Sequence, residues 1–159
     1  MDRANALGES RPARHDGGVT DAVPGPSLSL PLILARELAA NLATPMFLLD
    51  GRGMLVFFND AAALLIGKTF GEVGEIQGSD FHKHLSLTTV DGRPVRPRES
   101  AAGIAFFQQR PAHKRVIAQP YDGVRRVVDA TAYPLFGANG EMDGVVSVFW
   151  EHTDEEPVA

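Results

Sequence analysis

The residues of this sequence that could bind a transition metal are two histidines separated by one residue, His82 and His84. Imidazole nitrogens are common metal ligands, and the His-x-His spacing would suit a metal pair on one side of a strand. A closed site needs a third and a fourth ligand, which this pair lacks. We therefore interpret both histidines as solvated loop residues and predict no metal site.

The residue types of the chain give little indication of a catalytic site that uses a nucleophile or acid–base chemistry. The sequence has no cysteine, which excludes disulfides and thiolate catalysis. Asp129 is the one carboxylate in the interior of a recognisable strand, and we expect it to face outward with an arginine on a neighbouring strand as its partner. A hydrolase or isomerase would need a nucleophile with a base, or paired carboxylates. We predict that the protein is not an enzyme.

The length and the net charge of the chain narrow the classes of protein to which it could belong. The chain has 159 residues, of which 44% are hydrophobic, and these values fit a single globular core. Its net charge of −5 argues against a general nucleic-acid binder, because neutralising phosphates requires a basic surface. No stretch reaches the roughly 18 apolar residues of a membrane span, and the N-terminus lacks the apolar run of a signal peptide. We expect a cytoplasmic protein with no membrane partner.

The N-terminal part of the chain changes character near residue 30. Residues 1–29 are rich in Gly, Pro, Ser, Asp and Arg without a hydrophobic period, so we predict a disordered arm. Residues 30–43 carry leucines at helical spacing and predict an amphipathic flanking helix. Its apolar stripe covers the domain's own sheet in the interpretation we favour, or pairs two subunits in the alternative. The leucines are Leu30, Leu34, Leu38 and Leu42.

The rest of the chain alternates strand-like runs with turn signals and helices. Asp-Gly and Asn-Gly pairs at residues 122–123 and 139–140 separate three strand-like runs, since tight hairpin turns need residues that tolerate positive φ. The region 68–89, with three glycines, predicts short helical turns joined by loops. We predict strands at 46–50, 54–58, 113–119, 124–135 and 145–152, and helices at 60–66 and 98–109.

Four stretches, taken in order, resemble a PAS domain. They are "TPMFLLDGRGMLVFFNDAAALLIG", "DGRPVRPRESAAGIAFFQQRP", "VVDATAYPLFGANGEMDGVVSV" and "WEHTD". The resemblance implies an α+β fold with a five-stranded antiparallel sheet of order 2-1-5-4-3, helices on one face, and a small-molecule pocket between the sheet and the connecting helices. It covers residues 44–154, followed by an acidic tail at 155–159. We expect a stand-alone PAS module without an output domain.

Strand alternation assigns a face to each side chain of the predicted sheet. Small residues on the inward face indicate space for a ligand cavity. Phe106 and Phe107 could instead fill the same volume with side chains, and we place this filled core slightly ahead of the ligand cavity. The predicted pocket residues are Phe47, Leu49, Ile104, Phe107, Val128, Ala130, Ala132, Ser147 and Phe149.

The outward face is too apolar to be left bare in water, so a helix or a second subunit should cover it. A register slip of one residue would exchange the two faces. The predicted interface residues are Leu34, Leu38, Tyr133, Val146, Val148 and Trp150.

We interpret the protein as a sensory or regulatory module that binds a small apolar ligand or cofactor and signals through a homodimer or a signalling protein. The alternative is a ligand-free adaptor that docks onto a larger assembly. PAS-like photosensors that link flavin or coumaric acid through cysteine are excluded by composition. Haem and non-covalent flavin stay open as cofactors, although helix 98–109 has no histidine to serve as an axial haem ligand.

Overall fold

The structure is a computed structural model that describes residues 28–153. The predicted arm, except for its last two residues, and the predicted acidic tail lie outside the described part. None of the helices within residues 28–153 combines the length and the apolarity needed to span a bilayer. The elements in chain order are α1 (Leu30–Ala40), β1 (Met46–Asp50), β2 (Met54–Phe58), α2 (Asp60–Ile66), α3 (Phe70–Val73), β3 (Ile76–Gln77), α4 (Gly78–Leu85), a 3₁₀ turn (Pro97–Glu99), α5 (Ala101–Gln108), β4 (Ala112–Ala118), β5 (Arg126–Phe136) and β6 (Met142–Glu151).

The strands form one antiparallel sheet in the order β3-β2-β1-β6-β5-β4. Its five long strands have the predicted order, because β6 lies between β1 and β5. The sheet has six strands rather than the predicted five, since the two-residue strand Ile76–Gln77 pairs with the outer edge of β2. A strand of two residues has no alternation to recognise in a sequence.

Cross-strand pairs confirm the predicted facing of the long strands. Directly opposed residues of an antiparallel pair point to the same side of the sheet. Ala130 lies opposite Phe149, and Ala132 lies opposite Ser147, which in turn lies opposite Phe47. This face carries the main core cluster and is covered by α4 and α5.

Helix α1 packs on the face of the sheet opposite to α4 and α5. The side of the helix that contacts the sheet is not the predicted one. Its leucine stripe points away from the sheet, with Leu30, Leu34 and Leu38 respectively 66%, 60% and 58% exposed. The helix contacts β1, β5 and β6, and its buried residues are Leu32 and Ala39, seven positions apart on one helical face. The prediction that the stripe covers the domain's own sheet is wrong. The helix also ends at Ala40 rather than at residue 43.

The close approach of α1 to the sheet explains why the helix packs with the side that carries its smaller residues. Leu32 lies over Gly144 of β6, where a Cβ atom would stand 2.8 Å from Leu32 Cδ2. A larger residue on either side would hold the helix away from the sheet. Arg36 lies over the Phe57 ring of β2, 5.2 Å from its centroid, and closes the contact at the sheet's edge.

Asn59 joins three elements by side-chain hydrogen bonds. Its Oδ1 accepts from the backbone amide of Ala62, which confirms the predicted cap of α2, and also from the amide of Met46. Its Nδ2 donates to the carbonyls of Ala39 (3.0 Å) and Thr44 (2.8 Å). The side chain is buried and fixes the end of α1 against the start of β1.

Candidate functional site

A cavity of about 240 Å³ lies between the inner face of the sheet and helices α4 and α5. Strands β1, β4, β5 and β6 supply one wall, and α4, α5 and the loop before α5 supply most of the other. Most of its lining is apolar. The sheet residues in the wall include Phe47, Leu49, Val128, Ala130, Ser147 and Phe149, and the helix residues include Phe81, His82, Leu85, Ala101, Phe106 and Phe107.

The structure brings seven of the nine predicted pocket residues to this cavity. Ile104 and Ala132 are the other two, and they are buried in the core cluster without lining the cavity. The seven are Phe47, Leu49, Phe107, Val128, Ala130, Ser147 and Phe149.

Aromatic rings support the wall of the cavity. Phe47 makes an edge contact with Phe81 of α4 at 5.5 Å between centroids and a tilted contact with Phe149 at 5.9 Å. Such ring pairs pack rigidly and add to the energy of simple burial. Because Phe81 and Phe149 also line the cavity, the contacts fix the separation of helix and sheet there.

The cavity remains open although the two phenylalanines of α5, Phe106 and Phe107, lie in its wall. The two rings contact each other edge to face at 5.0 Å. Phe107 is half-exposed, and the Arg98 guanidinium lies 3.8 Å from its ring centroid. Phe106 lies against Gly53, where a Cβ atom would be 3.3 Å from the ring. The two rings therefore line the cavity without filling it.

His82 and His84 lie on helix α4 and not in a loop, which corrects their predicted setting. His82 lines the cavity, is half-buried and has Nε2 2.7 Å from the carbonyl oxygen of Val95. That bond requires a proton on Nε2, so a ligand could meet only the other ring nitrogen. His84 stacks on Tyr121 at 4.9 Å. Within residues 28–153, no three His, Cys, Asp or Glu side chains are grouped to hold a metal ion.

The residues that the sequence failed to indicate come mainly from α4, from α5 and from the edge strand β4. Helix α4 lies in the region that predicted only short helical turns, so its contribution of Phe81, His82 and Leu85 could not be foreseen. Lys114 also lines the cavity. A sequence signal for it was present, because alternation along the predicted strand 113–119 puts Lys114 on the same side as Val116. In the structure it lies opposite Ala130 and shares its face.

On the other face of the sheet, Asp129 is the centre of a charged cluster. Its carboxylate accepts a hydrogen bond from Arg115 Nε at 2.9 Å, which confirms the predicted outward facing and arginine partner. His152 Nδ1 and His113 Nε2 lie 3.2 and 3.7 Å from the same carboxylate. The Arg115 hydrogen bond holds the pKa of Asp129 below its ordinary value, and the charges of Arg115, His152 and His113 act in the same direction.

The predicted interface residues occupy two surfaces. Leu34 and Leu38 lie on the exposed side of α1. Tyr133 is opposite Val146 on the outward face of β5 and β6, with Trp150 further along β6. Tyr133 and Trp150 are 46% and 42% exposed, and Val146 and Val148 are half-buried.

Solved PAS domains share this architecture. The PAS domain of BvgS from Bordetella pertussis is 17% identical, with a TM-score of 0.53 over 78% of this chain and 87% of that chain. The PAS domain of the fruit-fly ELK potassium channel is 11% identical, with a TM-score of 0.61 over 77% and 97% of the two chains. The PAS domain of nitrogen regulation protein NR(II) from Vibrio parahaemolyticus is 17% identical, with a TM-score of 0.53 over 75% and 98%.

No protein-family model matches the sequence, and no curated protein matches it. The structural likeness and the strand order establish that the chain has a PAS fold, as the four sequence stretches predicted. A fold alone does not determine a function. The function depends on the residues of the cavity and of the exposed surfaces.

Proposed function

We propose that this protein is a sensory or regulatory PAS module that binds a small ligand in the cavity and signals through contact with another protein. The observation that carries this proposal is the apolar cavity of about 240 Å³ beneath α4 and α5. Ligand pockets are typically apolar, with a few polar groups that orient the ligand. This volume is below the roughly 300–1,000 Å³ of drug-sized sites, which favours a compact ligand.

Strand β6 offers a route from the cavity to the surface. Its residues alternate between the two faces of the sheet, so Ser147 and Phe149 line the cavity while Val148 and Trp150 face outward. A ligand that moves Phe149 would therefore act directly on the strand that carries Trp150. Signalling further requires that the ligand bind two conformations with different affinity.

The proposed output is a homodimer formed through α1. The exposed stripe of Leu30, Leu34 and Leu38 is apolar, with the exposed carboxylate of Glu37 at its border. A two-fold dimer uses the same patch on both subunits, and a stripe of leucines is complementary to a copy of itself. Burying three leucines on each subunit would stabilise the pair by several kcal/mol, at roughly 1.5–3 kcal/mol for a fully buried leucine.

A ligand-free adaptor is the second candidate, and the same stripe favours it. An exposed apolar helix face can dock onto a partner whether or not the cavity is occupied. The two candidates differ in what the cavity contains, so occupancy is the property to measure.

We propose binding and not catalysis as the role of the cavity. The Ser100 hydroxyl donates to the Pro97 carbonyl and accepts from the Gly103 amide, so it serves as the cap of α5. His82 is hydrogen-bonded to a backbone carbonyl. These bonds give both groups structural roles in the wall.

Occupancy is tested by the absorption spectrum of the purified protein, with native and denaturing mass spectrometry of the same sample. A visible band, or a mass that is lost on denaturation, is expected for the sensor, and Ala130→Leu should abolish it by placing extra carbon atoms in the cavity. Ala138→Leu, in the exposed turn before β6, is the matched control. A colourless polypeptide of unmodified mass in the wild type would favour the adaptor.

The stability of Ala130→Leu provides a second readout. Overpacking a filled core costs about 1–3 kcal/mol of unfolding free energy. An open cavity accepts the larger side chain at a lower cost, so urea unfolding should show a smaller loss. A loss within the overpacking range would indicate that side chains close the cavity in solution.

A further inference from the structure

The charge of the cavity lining is opposite in sign to that of the whole protein. The chain has 20 acidic and 15 basic residues. The lining nevertheless includes the basic residues Arg52, Lys114 and Arg126, and no aspartate or glutamate is among the described residues that line it. A cavity of this composition disfavours cationic ligands and attracts anions.

Two of the three cations are neutralised by carboxylates of the protein. Arg52 forms an ion pair with Asp50 at 2.9 Å, and Arg126 forms one with Asp122 at 2.8 Å. Arg126 also donates to the Leu65 carbonyl at 3.1 Å. The hydrogen bonds that Asp122 accepts from Arg126 hold the pKa of Asp122 below its ordinary value, so the Arg126–Asp122 pair remains ionised near neutral pH.

Lys114 differs from the two arginines. Its position opposite Ala130 places it on the inner face of the sheet, one strand away from Ala130 and two from Phe149. Among residues 28–153, its ammonium group has no hydrogen bond or ion pair with another side chain or with the backbone. It is exposed at the cavity, where an ammonium can keep its hydration while its four-carbon stem follows the apolar wall.

An edge strand such as β4 often carries lysine to prevent pairing with other chains. That role would be served equally by His113 or Arg115, which neighbour Lys114 on the outward face. An inward-pointing charge can serve the same role, but that role does not explain why no carboxylate lines the cavity beside Lys114 among the described residues. A ligand with a negative group near this end of the cavity does explain it.

We propose that the ligand is a compact amphipathic anion with a hydrocarbon or aromatic body and a single carboxylate head. The body lies among Phe47, Phe81 and Phe149, and the head pairs with Lys114 at the solvent-exposed side of the cavity. This inference rests on the proposed ligand-binding function and specifies its chemical class. The ammonium donates a charge-assisted hydrogen bond to the carboxylate, which orients the ligand in one direction.

Octanoate and 1-octanol are the probes for this proposal, because they share one hydrocarbon chain and differ in the head. Isothermal titration calorimetry on the full chain should give tighter binding of octanoate than of 1-octanol. Lys114→Met keeps the apolar stem and should weaken octanoate about tenfold without changing 1-octanol. Lys83→Met, an exposed lysine that does not line the cavity, is the control and should leave both affinities unchanged.

A charge reversal gives a result that loss of stability could not imitate. Lys114→Glu should lose octanoate and bind octylamine more tightly than the wild type does. Equal binding of octanoate and 1-octanol to the wild type would overturn the anionic head and leave the ligand-binding function standing. Absence of binding by both would overturn the proposed ligand class, while the mass of the purified protein would still decide the proposed function separately.

Discussion

Lys114 and Arg115 are neighbours in the sequence and yet belong to two different sites. Alternation along β4 directs Lys114 to the cavity and Arg115 to Asp129 on the opposite face of the sheet. The two sites also differ in charge balance, because Arg115 has a buried carboxylate partner and Lys114 has none among the described residues. The basic run on β4 therefore separates into one structural pair with Asp129 and one lysine at the cavity, for which we propose a ligand-binding role.

Asp129 should make the stability of the protein sensitive to acid. Its folded-state pKa is depressed, chiefly by the Arg115 hydrogen bond, so the folded protein binds this proton less readily than the unfolded chain does. The resulting stabilisation is fully present above the unfolded pKa of about 3.9 and is lost as the pH falls through the lower folded pKa. Asp129→Asn should lower the unfolding free energy at pH 7, and the difference from the wild type should shrink below about pH 4.

Urea denaturation at a series of pH values measures this difference. Glu75→Gln, an exposed carboxylate outside the cluster, is the control and should track the wild type at every pH. A deficit of Asp129→Asn that is the same at pH 7 and below pH 4 would show that the carboxylate's charge is not what stabilises the cluster.

At the scale of elements, the junction of α1, β1 and α2 depends on a single amide side chain. Asn59 accepts from two backbone amides with Oδ1 and donates with Nδ2 to the backbone carbonyls of Ala39, Thr44 and, at 3.4 Å, Leu42. Satisfying buried backbone groups in this way lets the chain turn from helix to strand without water. The attachment of α1 to the sheet is thus determined by polar geometry at its end and by Leu32 over Gly144 at its middle.

Asn59→Ala should destabilise the fold by about 2–4 kcal/mol, since it removes a helix cap and leaves buried backbone groups without partners. Asn59→Asp retains the acceptor for Ala62 but loses the donor to Ala39 and Thr44, so it separates the two functions of the amide. Equilibrium unfolding in urea gives the comparison. The side chain of Asn41 is exposed and, within residues 28–153, is bonded only to the Glu37 carbonyl, so Asn41→Ala should cost about 1 kcal/mol or less. An equal cost for Asn59→Ala would refute the bridging role.

For the whole molecule, the arrangement of α1 leaves an apolar surface on the outside of the domain. The helix covers one part of the outward face of the sheet, and Tyr133 and Trp150 remain about half-exposed beside it. Large exposed apolar patches mark sites of protein association. The cavity and this surface lie on opposite sides of the same sheet, which is the arrangement a ligand-controlled assembly needs.

Leu34→Glu tests the proposed homodimer. A charge in the centre of the stripe should convert the dimer to a monomer in light scattering after size exclusion. At protein concentrations low enough for both proteins to be monomeric, the unfolding free energy should change by only about 0.5 kcal/mol, because Leu34 is exposed in the single subunit. Leu64→Glu, at a leucine that is 80% exposed on α2, is the matched control and should leave the dimer intact. A wild-type monomer, or a Leu34→Glu protein that remains dimeric, would rule out pairing through α1.

The sequence by itself determined most of the secondary structure and the facing of the strands. Turn residues with positive φ marked the hairpins, Asn59 marked the start of α2, and alternation assigned Ala130 to the inner face and Asp129 to the outer face. These signals are local, because they depend on the backbone preferences of single residues and on a period of two. They sufficed for the PAS fold and for seven residues of the cavity wall, six of them on β1, β5 and β6.

Only the tertiary structure decided which side of α1 meets the sheet and what the cavity contains. The leucine stripe was the stronger hydrophobic signal, but the close approach over Gly144 requires the side of the helix with Leu32 and Ala39. Likewise, neither the distance of α4 from the sheet nor the missing partner of Lys114 can be read from one segment. Packing and charge pairing join residues far apart in the chain, so their outcome depends on the shapes of both partners.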